Sequence, residues 1–173
     1  MNSKVTKFGN CAHTLILGVT EKITFINGRT PDMITYITEC AANNLDYFEG
    51  AIQRGCNSDT LARFLANMAE MGMAGYYHMK REVMTLNSIA NYMTDLYARK
   101  NRDYGNSFDK SMDKWGLVVS AIRIGDKVNR LQSLVAKGES LVKDESLTDT
   151  FIDLACYSVM SLMWLDDNKA KFD

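Results

Sequence analysis

The chain has 173 residues, enough for one domain that buries its own core, and its 46% hydrophobic and 24% charged content is that of an ordinary globular protein. Its 20 basic and 21 acidic residues leave a net charge of −1, which excludes bulk electrostatic binding of a nucleic-acid backbone; any phosphate recognition has to come from a local cluster. No apolar run approaches the ~20 residues of a membrane helix and the N-terminus has no signal-peptide core, so a cytoplasmic protein with no membrane partner is expected.

The first segment is read as short strands. Lys4–Phe8, His13–Leu17 and Lys22–Ile26 are rich in β-branched and aromatic residues and are separated by glycine-containing turns, the pattern of a small sheet or hairpin. Thr30 and Pro31 then open a helix, as N-cap and first helical residue. Met33, Ile34, Ile37, Cys40, Ala41, Leu45 and Phe48 carry its apolar period. Ser58-Asp59 opens a second helix along Leu61, Phe64, Leu65, Met68 and Met71, with a break expected near Gly72, Gly75 and Tyr76-Tyr77. A third helix is predicted over Ser88–Lys100, with Ile89, Tyr92, Met93 and Leu96 inward, then a loop over Asn101–Phe108. A long helix over Leu117–Val135 ends at Gly138. The last runs from Ser146 to Leu165, with Ser146 as cap and Asp149 where a capping box places its acid. The expected fold is mainly α: a bundle of about five helices with a small N-terminal β-sheet. Cys11, Cys40, Cys56 and Cys156 form no metal-binding pair and read as reduced thiols. His13 and His78 have no spaced partner and receive no role.

The second half places polar residues where a simple bundle does not need them. Arg123, Asp126, Lys127 and Arg130 fall at i, i+3, i+4 and i+7 and make one charged stripe. On the last helix Asp149, Asp153 and Tyr157 are spaced by four, with Glu145 just ahead of the first turn, and Asp153 lies in the apolar run Phe151-Ile152-Asp153-Leu154-Ala155. A carboxylate in such a run is costly unless paired or bound to a metal. Two carboxylates on one face and a third from a facing helix can hold Mg²⁺. The same spacings also suit a solvated face or an interhelical salt-bridge network. Arg99–Phe108 gathers three cations, Tyr104, Gly105 and small polar groups. It reads either as a surface turn or as a phosphate-binding loop with Tyr104 or Phe108 stacked on a base.

Three segments, KNRDYGNSF (Lys100–Phe108), RIGDKVNRL (Arg123–Leu131) and DESLTDTFIDLACY (Asp144–Tyr157), together resemble the nucleotide-modification-associated domain of the first type, a family of phages and bacteria linked to phage nucleotide metabolism. The resemblance covers about 88–165. It implies a helical domain over 86–173, leaving 1–85 as a small sheet and helices of unassigned role. More distantly, the acidic helix pair is similar to the all-α nucleoside triphosphate pyrophosphohydrolases of the MazG and dimeric dUTPase type, which hold Mg²⁺ on helix carboxylates and cut between the α and β phosphates. That similarity puts Asp126 at the start of the first acidic motif and Asp153 at the end of the second, with Asp149 or Glu145 as partner. Asn129 and Thr150 stand where those motifs have further acids, which favours direct phosphate binding over a two-metal site.

Two functions follow as expectations. In the first, a Mg²⁺-dependent hydrolase releases monophosphate and pyrophosphate from a nucleoside triphosphate. Asp126, Asp149 and Asp153 bind the metal, Glu145 and Asp153 are catalytic, and Lys100, Asn101, Asp103, Tyr104, Arg123, Lys127 and Arg130 bind the substrate. In the second, a non-catalytic module holds a nucleotide or a nucleotide-derived signal. The methionine-rich stretch Met68–Met84 is the one hint of an interaction protein. A homo-oligomer is expected because the short N-terminal strands leave open edges.

Overall fold

The computed structural model describes residues 3–27, 32–137 and 146–173. Among them the chain forms eight α-helices: α1 Ser3–Thr14, α2 Ile16–Asn27, α3 Met33–Gln53, α4 Ser58–Lys80, α5 Leu86–Tyr104, α6 Ser107–Trp115, α7 Val118–Lys137 and α8 Leu147–Asp167, followed by a 3₁₀ turn at Lys169–Lys171. The core is a four-helix arrangement in which α3 packs on α4 and α7, and α8 packs on α4 and α7. Around it α1 lies against α5 and α8, α2 against α4, and α6 against α7. One continuous apolar cluster runs through both halves of the chain, with Phe48, Leu61, Met68, Ile124, Val128, Phe151 and Val159 among its buried members. No helix is long and apolar enough to cross a membrane among the described residues.

The expected N-terminal sheet is absent, and the described residues contain no strand. The three stretches read as strands lie in α1, α2 and the single turn residue between them. The buried residues explain why: Phe8, Ala12, Leu15, Val19 and Ile26, at 0–8% exposure, recur at the three- and four-residue spacing of a helix, and that stripe overrides local β propensity. The glycines read as turns are close-packing points instead. A Cβ on Gly9 would stand 3.2 Å from Thr94 Oγ1, and one on Gly18 would collide with the Glu70 carboxylate. Without strand edges, that ground for a homo-oligomer is gone.

Further boundaries also move. Thr30, Pro31 and Gly138 lie outside the described residues; α3 is capped by Asp32, whose carboxylate accepts from Thr35 N. α4 runs unbroken through Gly72 and Gly75, because α8 lies against it at those two points. A Cβ on Gly72 would come within 2.7 Å of Ala155 N and Phe151 O, and one on Gly75 within 2.5 Å of the Phe151 ring. The loop expected over Asn101–Phe108 shrinks to Gly105-Asn106, both left-handed (φ 57° and 59°), between α5 and α6. On α7, Ile122 faces out, 58% exposed, while Ser120, Ile124, Gly125, Val128 and Leu131 face in.

Candidate functional site

The Gly105-Asn106 corner turns the chain so that α5, α6, α7 and α8 enclose two adjoining cavities. The first, about 380 Å³, is lined by Leu96, Tyr97, Tyr104, Phe108, Tyr157 and Met160, with Lys100, Asn101, Arg123 and Asp153 on its polar side. The second, about 320 Å³, is lined by Tyr92, Lys100, Lys127, Arg130, Asp149 and Asp153. Lys100 and Asp153 belong to both, so the two cavities meet at this pair.

Asp153 is the hub. Its Oδ1 accepts from Lys100 Nζ at 2.9 Å, and its Oδ2 pairs with Lys127 Nζ at 3.0 Å. α5 and α7 thus each send one ammonium to a carboxylate on α8 that is 22% exposed. Burial pulls the Lys100 pKa down, but the hydrogen bond and charge of Asp153 outweigh it and hold Lys100 above the ordinary lysine value. Lys127 also lies 5.9 Å from the centroid of the Tyr157 ring, within cation–π range. Tyr157 in turn meets Phe108 at 5.7 Å in a tilted pair, so the aromatic wall and the cationic wall brace each other. Cys156 is buried beside Asp153, and burial with that neighbouring charge pushes its thiol up to about 12; it stays protonated at neutral pH and is no nucleophile.

Of the residues singled out from the sequence, Lys100, Asn101, Tyr104, Arg123 and Asp153 share the first cavity, and Lys127, Arg130 and Asp149 join at the second. Asp103 is exposed and pairs with Arg102 at 3.5 Å, lining neither cavity. Asp126 lies away from both, in a groove with Glu49 between α3 and α7. Asp149 is occupied at the α8 N-terminus: its Oδ2 accepts from Ser146 N (3.1 Å) and Ser146 Oγ (2.6 Å), while Ser146 Oγ accepts from Asp149 N. Glu145 lies outside the described residues. Asp126, Asp149 and Asp153 therefore do not converge, and no three acidic, histidine or cysteine side chains among the described residues stand together as a metal site. Among the described residues these carboxylates do not gather into a set that would hold Mg²⁺, and the charged groups that meet Asp153 are the ammonium groups of Lys100 and Lys127.

The capping geometry gives a separable expectation for Asp149. Asp149→Ala should lower stability by about 1 kcal/mol, the usual cost of losing a cap, and leave affinity for phosphate compounds within about twofold. A calorimetric melt and a binding titration on the same preparation check both halves; a large loss of affinity would return Asp149 to the binding set.

Tyr92, Leu96, Tyr97 and Met160 line the cavities without having been singled out as site residues. The signal was present: Tyr92, Leu96 and Lys100 are spaced by four along α5, so the face that begins apolar ends in the site's lysine. Two of these rings are backed by the first half of the chain. Phe8 stacks on Tyr97 at 4.4 Å and 7°, and Tyr76 on Tyr92 at 5.9 Å and 15°.

Residues 100–165 match the family model described as nucleotide modification associated domain 1. The match begins at Lys100 in the last turns of α5 and takes in α6, α7 and nearly all of α8, and with them every cationic residue of the two cavities. No curated protein and no solved structure matches the chain.

Proposed function

We propose, on the premise of a nucleotide-modification-associated segment at residues 100–165, that the paired cavities bind a nucleotide and hold its phosphate with protein cations. The carrying observation is the convergence of Lys100 and Lys127, from two helices, on the one line where an aromatic cavity and a cationic cavity meet. Lysines on a shared point and arginines beside them are the groups that phosphate oxygens recruit, through charge-assisted hydrogen bonds. The aromatic cavity suits a nucleobase: stacking on such rings contributes about 1–3 kcal/mol per base whatever the base. Asn101 offers an amide donor and acceptor at the same wall. Tyr104, 68% exposed, stands at the mouth.

The protein in this reading holds its ligand without needing a metal and returns it unchanged. The test is incubation with canonical and modified nucleoside triphosphates, with and without Mg²⁺, followed by chromatography and mass measurement of bound and free species. Retention of intact nucleotide in the absence of Mg²⁺ is expected. Metal-dependent appearance of monophosphate and pyrophosphate would overturn the reading in favour of the hydrolase that the more distant similarity implies.

A further inference from the structure

We infer that Asp153 binds the sugar of the nucleotide by accepting hydrogen bonds from its hydroxyls, so that the site tells a hydroxylated sugar from a dideoxy one; this rests on the nucleotide reading above. In a nucleotide the sugar joins base to phosphate. With the base in the aromatic cavity and the phosphate in the cationic one, the sugar falls where the two meet. Among the described residues three line both cavities: Leu96, Lys100 and Asp153. Leu96 offers only apolar surface, and a lysine ammonium donates hydrogen bonds but accepts none. Asp153 is thus the one shared side chain to which a hydroxyl can give its proton.

The carboxylate is prepared for this contact. An ionised carboxylate has about four lone-pair sites. Lys100 Nζ donates to Oδ1 at 2.9 Å and Lys127 Nζ to Oδ2 at 3.0 Å, so about two sites remain. Asp153 keeps 22% of its side chain exposed, at a point that both cavities reach. It is rooted in mid-α8 between Ile152 and Leu154, which are 3% and 0% exposed. The two ammonium groups, one from α5 and one from α7, hold its oxygens in place before any ligand arrives, which leaves little ordering for binding to impose. An acid lodged among phosphate-binding cations otherwise works against them, since it repels a phosphate set beside it. Turned to the sugar, it meets a neutral donor instead. Each ammonium has three protons to give, so both lysines can bond Asp153 and a phosphate together.

The test is titration calorimetry of the full chain, without Mg²⁺, on wild type and Asp153→Ala. The ligands are the common ribonucleoside triphosphates and their 2′-deoxy and 2′,3′-dideoxy counterparts. Wild type should bind the ribonucleotide at least about tenfold more tightly than the dideoxynucleotide of the same base, the worth of one hydrogen bond to a charged group. The 2′-deoxy compound then shows which hydroxyl carries the difference. In the variant the ratio should close to within about twofold, because the acceptor is gone. The paired ligands carry the same phosphates, so relief of the acid's repulsion changes both affinities alike and cancels in the ratio. Equal binding of the three sugars by wild type overturns the inference and needs no variant to fold. So does a ratio that Asp153→Ala leaves intact, which would put the hydroxyl contact elsewhere. Either result leaves the nucleotide reading standing, whereas binding of no nucleotide at all overturns that reading itself.

Discussion

Replacing Lys100 and Lys127 together by methionine should weaken nucleotide binding by at least about 100-fold. Each ammonium supplies a charge-assisted hydrogen bond, for which about 1.5–3 kcal/mol is typical, and two of them amount to at least two decades in affinity at about 1.4 kcal/mol per decade. Methionine keeps the length and apolar stem of each lysine, so the packing of α5 and α7 against α8 survives. The stranded Asp153 is 22% exposed and can take up water in place of its partners. Stability should therefore fall far less than affinity. The control is Lys169→Met, whose lysine pairs with Asp59 at 2.9 Å on exposed ground and lines neither cavity; its affinity should equal wild type. Equilibrium binding of one labelled nucleotide to the three proteins decides the matter. A loss under about fivefold in the double variant would mean that the phosphate lies elsewhere.

Gly72→Ala should cost about 2 kcal/mol of stability and lower the melting temperature by about 4–8 °C, although alanine is the better helix former by about 1 kcal/mol. The added methyl would stand 2.7 Å from Ala155 N and Phe151 O. Those are backbone atoms of a neighbouring helix, which cannot rotate away, so α8 has to move as a body and overpacking of this kind costs about 1–3 kcal/mol or more. Asp153 sits two residues from Ala155 on that helix, so nucleotide affinity should drop along with stability. Gly50→Ala is the informative contrast. The only close neighbour there is the Arg54 side chain, with Nη1 at 2.9 Å, a flexible end that can swing aside, and the helix propensity gain should then make the protein more stable. A Gly72→Ala protein melting within a degree of wild type would show that α4 and α8 do not press together as described.

Much of the second half was legible because its elements carry their own punctuation. Ser146 and Asp149 announce the start of α8, and the capping box is present as read. The charged stripe on α7 was visible from spacing, but spacing alone does not say how a stripe divides between neighbours. At about 100° per residue, Asp126 sits roughly 60° from Arg123, on the side that carries Ile122 and Asn129, and that side lines the α3 groove. Lys127 and Arg130 fall on the other side, toward α8. The N-terminal reading failed for a different reason. In Lys4–Ile26 the β-branched residues occupy ordinary helix positions, and what makes the segment helical is contact at long range, through Phe8 on Tyr97 and glycines pressed against Thr94 and Glu70. None of those partners is near in sequence, so local pattern had nothing to register. The loop over Asn101–Phe108 was overdrawn because a two-residue corner needs only the left-handed Gly105-Asn106 step, and the polar residues around it serve as helix ends.

The rings that back Tyr97 and Tyr92 come from Phe8 and Tyr76, and the surface that receives the inner side of α8 comes from Gly72 and Gly75. All four lie outside the stretch 100–165 that carries the family match. The boundary of the match is thus a boundary of shared pattern and not a place to cut: a fragment made from it would have the cations of the site but no back wall, and would offer solvent the greasy side of its own last helix. For anyone grafting, swapping or crystallising this module, the smallest portable piece has to include α1 and α4.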